Sequence, residues 1–111
     1  MRLYIATPIN ARQEKTLEEK KRAARHRVNL LKEIISDDKR FAEYGELVST
    51  FDISTIGSRT TEAQALGMCV TAVLESDAIY LDHGWNGSDG CNLEYRAAKI
   101  YGKRIYEHDK M

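Results

Sequence analysis

Proline is almost missing from this chain: Pro8 is the single instance. It should close the first apolar run, Leu3-Tyr4-Ile5-Ala6, as a strand and open a turn. Cysteine is nearly as scarce. Cys69 and Cys91, the only two, are too few and too far apart for a disulfide framework or a thiolate metal site. Net charge is absent, since 17 Lys plus Arg balance 17 Asp plus Glu. No global field therefore gathers nucleic acid or a membrane surface. No apolar run is long enough to span a bilayer, and Met1-Arg2 leads into a strand without a signal-peptide pattern, so the expectation is a cytoplasmic protein. No P-loop occurs and no G-x-G-x-x-G follows the first strand, so the NTPase and dinucleotide readings lack their glycines. His83 stands beside Asp82, but no second histidine lies at ligand spacing, and no metal is expected.

What remains is the composition of a globular domain. Its 111 residues, 42% hydrophobic and 31% charged, suffice for one domain over 1–111 with a core of its own. The chain is organised around Ser76 to Lys99, SDAIYLDHGWNGSDGCNLEYRAAK. Ala78-Ile79-Tyr80-Leu81 reads as a short apolar strand, Asp82 to Gly90 as a polar loop with three glycines, and the rest as a helix starting near Gly90. In open α/β sheets ligands lie beyond the carboxyl ends of the strands, where such loops sit.

Glu94 is the acid to weigh in that unit. Helical spacing groups Leu93, Ala97 and Ile100 into an apolar stripe, with Glu94, Ala98 and Tyr101 beside it. The carboxylate is thus aimed along the face that packs on the sheet. Burial alone raises a carboxylate pKa by ~3–5 units, whereas a helix N-terminus returns only ~0.3–1 kcal/mol to the ionised form. An ionised Glu94 would need hydrogen-bond donors or partial exposure, the condition of an active-site carboxylate. A glutamate that merely favours the first turn of a helix is the competing explanation. Cys91, near the same helix start, is a chemically conceivable nucleophile without an evident base.

In chain order, Pro8 to Gln13 forms a loop in which Asn10 and Arg12 can meet a polar or anionic ligand. Glu14 to Ser36 reads as a long helix with Leu17, Ala24, Val28, Leu31 and Ile35 inward; its basic cluster is read as a solvated face. Phe41 and Tyr44 should pack down locally from a polar connector. Leu47-Val48-Ser49-Thr50-Phe51 reads as the second strand, and Asp52 to Arg59 as a loop. Thr61 and Gln64 fit a capping box that starts a helix running to about Glu75. Gly102 should end the last helix, and Arg104-Ile105-Tyr106 is a final strand. The crossovers are long enough to be right-handed and parallel. They predict a small doubly wound α/β sheet of about four strands in the order 2-1-3-4, with helices on both faces. The switch point would then bring Tyr4 to Arg12 opposite Asp82 to Glu94.

Three segments carry a family resemblance: Leu3-Tyr4-Ile5-Ala6-Thr7-Pro8, Ser76-Asp77-Ala78-Ile79-Tyr80-Leu81, and Gly90-Cys91-Asn92-Leu93-Glu94-Tyr95-Arg96-Ala97-Ala98. With the loop Gly84-Trp85-Asn86-Gly87-Ser88-Asp89-Gly90, the chain resembles the small branch of the nucleoside 2-deoxyribosyltransferase superfamily, which has a Rossmann-like sheet. The resemblance implies Glu94 as nucleophile on the anomeric carbon of a deoxyribose, steadied by Tyr4, with Asp89 or Asp82 as proton donor to the departing base. It implies Pro8, Asn10, Arg12, Cys69, Asp82, Gly84, Trp85, Asn86 and Ser88 around the substrate, and no cofactor. Trp85 and Tyr95 would stack on a base, serve a subunit contact or simply pack the loop. The expected partner is a small nucleoside or nucleotide, with self-association into a dimer or larger homo-oligomer.

Two departures bear on the chemistry. An aspartate usual in the family, eight residues before the one matched by Asp77, is here Cys69. Six residues before Glu94, where classical transferases place an acid, stands Ser88, with Asp89 next to it. A serine there contacts phosphate in the superfamily's nucleotide N-hydrolases, so Ser88 with Arg12 points to a nucleoside monophosphate. The expectation is N-glycosidic cleavage or transfer on a 2-deoxynucleoside or its 5′-monophosphate. The alternatives are a 2-deoxynucleoside 5′-monophosphate N-hydrolase, a non-catalytic nucleotide-binding module, and an assembly protein whose acids are surface groups.

Overall fold

The structure is a computed structural model and describes residues 1–9, 16–53, 56–57 and 59–111. Four strands form one parallel sheet: β1 (Arg2–Ala6), β2 (Glu46–Val48), β3 (Ala78–Leu81) and β4 (Arg104–Glu107), in the order β2-β1-β3-β4. Leu3 stands opposite Leu47 on one side and Ala78 on the other, and Ala78 opposite Arg104. The strand order is the one the crossover lengths predict. β3 is buried along its whole length and β1 from Leu3 to Ala6, as strands covered on both faces must be.

Three helices cover the two faces: α1 (Leu17–Ser36), α2 (Glu62–Leu74) and α3 (Asp89–Ile100). Side chains alternate along each strand, so Leu3, Ile5, Ala78 and Tyr80 meet Val28, Leu31 and Ile35 of α1. Phe41 and Tyr44 close that layer from the connector. Tyr4, Ala6, Ile79 and Leu81 point to the opposite face, against Val73 of α2 and Cys91 and Ala98 of α3.

Local signals set the helix starts. Thr16 accepts the Glu19 backbone N–H, and Thr61 and Gln64 form the reciprocal capping box expected of them. Ser88 caps α3 by accepting the Cys91 N–H, which places the helix start at Asp89. Gly102, at φ +68°, takes the left-handed conformation that follows a helix end. Among the described residues no helix is long and apolar enough to cross a membrane.

Two expected elements differ from the observed ones. β2 ends at Val48, because Ser49 caps a short 3-10 turn over Thr50–Asp52: its hydroxyl accepts the Phe51 N–H, and Asp52 returns to the Ser49 N–H at 2.8 Å. Phe51 leaves the strand and lies under the Arg25 guanidinium, 5.1 Å from ring centre to the charge. On α3, Leu93 and Ile100 are exposed, and the buried positions are Cys91, Glu94, Ala97 and Ala98. Cys91, Glu94 and the two alanines occupy the inner face, and the large apolar side chains turn outward. Leu17 of α1 is likewise exposed.

Candidate active site

Glu94 projects from the second turn of α3 toward the sheet and is only 7% exposed. Desolvation pushes its pKa up to about 7, and the hydrogen bond from the Tyr4 hydroxyl pulls it back. Among the described residues no cation offsets that desolvation, so the carboxyl group is poised between its two forms near neutral pH. Tyr4 is equally buried in the middle of the sheet, and desolvation, then the neighbouring Glu94, hold its pKa well above the ordinary phenol value. It is therefore a fixed O–H donor.

Cys69, on the inner face of α2, completes the group. It is buried, borders Tyr4, and its Sγ lies 3.2 Å from the Thr50 hydroxyl at the carboxyl end of β2. Burial raises the thiol pKa, and Glu94 adds to the effect, so Cys69 stays neutral. The structure thus brings together Tyr4, Cys69 and Glu94 from β1, α2 and α3, and adds Thr50. Strand propensity hid Thr50 inside an apparent β2; the Ser49 to Asp52 capping spacing was the signal that marked it as a turn.

The loop from β3 to α3 is shaped from inside. Gly84, at φ +78°, sits where a Cβ would come 3.8 Å from the Pro8 ring, so the ends of β1 and β3 meet there. Trp85 packs on Tyr95 at 4.8 Å between ring centres and donates its indole N–H to Glu107 at 3.2 Å, the local packing arrangement. Asn92 donates to the Asn86 carbonyl at 3.0 Å and the Ser88 carbonyl at 2.8 Å, clamping the loop to the helix that follows it. The Asn86 side chain is exposed, Ser88 is buried at the cap, and Asp89 is exposed beside it. Thr7, just past β1, buries a hydroxyl with no hydrogen-bond partner among the described residues.

Asp82 stands apart from this group. It follows β3 onto the α1 face, where Arg27 reaches it with Nε and Nη2 at 2.9 to 3.2 Å and its own neighbour His83 donates a backbone N–H at 2.7 Å. His108 joins them, with Nε2 3.4 Å from Arg27 and Nδ1 2.6 Å from the Tyr80 hydroxyl. Arg27 belongs to the basic cluster of α1 whose face is expected to be solvated, and it turns instead to Asp82. Its position, three residues after Ala24 and four before Leu31, puts it at the border of the buried stripe, and that spacing could have found it.

The remaining candidates separate cleanly. Cys91 is no activated thiol: burial, then Glu94, push its pKa up to about 12 against the opposing Ser88 hydrogen bond. Asn10 and Arg12 lie outside the described residues. Among those described, no three His, Cys, Asp or Glu side chains gather as a metal site requires. An open groove of about 680 Å³ runs along the far side of α2, past Val48, Met68 and Ala72, and includes neither Glu94, Tyr4 nor Cys69.

Comparison with curated proteins and with solved structures finds no significant match. A family model does match, over residues 1–107, and it spans all four strands and the whole Tyr4, Cys69 and Glu94 group. The chain belongs to that family, described as a domain of unknown function, DUF4406.

Proposed function

We propose that the protein cleaves or transfers the N-glycosidic bond of a 2-deoxynucleoside or its 5′-monophosphate, with Glu94 as nucleophile. The observation that carries this reading is a buried carboxyl group with a pKa of about 7 whose described partner is a phenol. A structural carboxylate at such depth is ordinarily paired with a cation or several donors. The resemblance to deoxyribosyltransferases puts a nucleophilic glutamate at the same position.

In this mechanism the ionised Glu94 attacks the anomeric carbon, and an ester to the sugar forms as the bond to the base breaks. Asp89, exposed at the loop, supplies the proton that the departing base requires. Asp82 is the poorer donor, since its oxygens are committed to Arg27 and the His83 N–H. Water or a second base then attacks the anomeric carbon, its proton passing to the Asp89 carboxylate, and the bond to Glu94 breaks to release the Glu94 carboxylate. Lack of a 2-hydroxyl on the sugar makes the cation-like centre easier to form. Tyr4 holds the carboxylate in place before and after each step.

Ser88 favours a monophosphate. It accepts the Cys91 N–H as the cap of α3, and so stands at a helix N-terminus, where a phosphate is favoured. The second reading, a binding module that holds a nucleotide without consuming it, draws on Cys69. A neutral thiol in place of the family's aspartate leaves Glu94 the one carboxylate in that group.

The test is chromatography of reactions with a panel of deoxynucleosides and their 5′-monophosphates, with and without a free acceptor base. Base release from monophosphates alone identifies a hydrolase, and exchange that depends on added base a transferase. Glu94→Gln should fold normally and lose at least about 10³-fold in turnover, the scale of removing a reacting group. Full residual activity in that variant sinks the assignment. Thermal stabilisation by a nucleotide with no turnover favours the binding module.

A further inference from the structure

The loop between β3 and α3 is held at its two ends by different means. Trp85 fixes the front, through its ring contact with Tyr95 and its indole N–H on Glu107. The turn Trp85–Gly87 then closes on itself, with the Gly87 N–H on the Gly84 carbonyl and the Ser88 N–H on the Trp85 carbonyl, both at 3.1 Å. At the rear, Asn92 ties that turn to α3. Its amide nitrogen gives one hydrogen to the Asn86 carbonyl at 3.0 Å and the other to the Ser88 carbonyl at 2.8 Å. Carbonyls only accept, so the nitrogen and not the oxygen of the amide faces the loop.

We propose that Asn92 is a positioning residue for the substrate, holding the turn against α3 so that Asn86 and Ser88 meet the nucleotide in a fixed place. The inference rests on the reading of Glu94 as nucleophile and of this loop as the rim of its site. Glu94 and Asp89 both ride on α3, so the helix sets their separation whether or not the loop is tied down. The loop therefore governs binding, and the helix the chemistry. A loop ordered in advance spares the ligand the cost of ordering it. Loss of the two Asn92 donors should accordingly appear in KM and not in kcat.

Asn92→Asp is the decisive variant. It keeps the size of the side chain, turns oxygens toward both carbonyls, and adds an acid near the N-terminus of α3, where the helix dipole favours one. A role confined to helix stability predicts an unchanged or a more stable protein with unchanged kinetics. The positioning role predicts a melting temperature close to wild type, a KM for 2-deoxynucleoside 5′-monophosphates about tenfold higher and a kcat within about twofold. Asn92→Ala, at a half-buried position and with a better helix former, should give the same split without the new charge. Amide exchange in the substrate-free protein is the second readout: the Gly87 and Ser88 N–H groups should exchange about tenfold faster in both variants. Unchanged exchange overturns the clamp, whatever the kinetics. Faster exchange with KM unchanged in an active enzyme overturns the positioning role and leaves Glu94 standing, as does a fall in kcat alone. A wild-type protein that turns over no member of the nucleotide panel ends the Glu94 reading, and the positioning role with it.

Discussion

Asp82 and Glu94 are both buried acids, one on each face of the sheet, and they are held in opposite ways. Asp82, 2% exposed, receives a guanidinium in bidentate fashion and a backbone N–H. Glu94, 7% exposed, has among the described residues a phenol. The first arrangement answers the cost of burying charge with an opposite charge. The second leaves that cost largely unmet, and a carboxyl group with an unmet desolvation cost is one that can change state. The same sheet thus carries an acid paired with a cation and a second, proposed as reactive, that is held by a phenol; their partners and not their depth tell them apart.

Removing the partner of the structural acid should have the largest effect on stability. Arg27→Ala strands Asp82 in a low-dielectric site, which ordinarily costs ~3–5 kcal/mol. Urea unfolding should show that loss, and Arg27→Ala combined with Asp82→Asn should recover part of it. A loss below about 1 kcal/mol in the single variant would remove the contrast, since exposed pairs give no more.

The reactive acid predicts a pH dependence of the opposite sense to ordinary acid denaturation. Its folded pKa, about 7, lies above the ordinary glutamate value of 4.5, so the folded state binds the proton more tightly. The stability this contributes is fully present below pH 4.5 and is lost as pH rises through 7. The span corresponds to about 3 kcal/mol, and Glu94→Gln should flatten that part of the profile. A profile identical in the two proteins means that Glu94 titrates in the folded state as it does unfolded.

Exchanging the donor on the reactive side should be gentler. Tyr4→Phe removes one hydrogen bond and is expected to cost about 1 kcal/mol at high pH, where Glu94 is charged, and less at low pH. Thermal melts at two pH values suffice to see it. A cost as large as that of Arg27→Ala would make the two acids alike.

The fold was readable because its signals are local. Apolar runs at Leu3 to Ala6 and Ala78 to Leu81, the Thr61 and Gln64 cap, and Gly102 each act within a few residues. The failures share one cause. Leu47 to Phe51 has strand propensity, but the Ser49 and Asp52 capping bonds redirect it into a turn. On α3 the stripe of largest apolar residues points outward, because the inner face is given to Cys91, Glu94 and Ala98. Periodicity locates a core by hydrophobicity, and it misleads where the buried face holds polar or small groups. Glu94 was still legible as an inward acid through its spacing, and Tyr4 through the resemblance. Arg27 with Asp82 is a pairing across 55 residues, which no local pattern reports.

The position of β1 also bears on how the molecule forms. This strand precedes the other three and sits in the middle of the sheet, yet its partners come much later: the Arg2 N–H is bonded to the Asp77 carboxylate, 75 residues along the chain. Central pairing must wait for loop closure over most of the polypeptide, an entropic cost met before those contacts repay it. Until β3 has been made, β1 can pair only with β2, and its edge toward β3 stays open. Amide exchange after refolding should find the hydrogen bonds of β1 with β3 protected only once the whole sheet has closed, later than those inside α1.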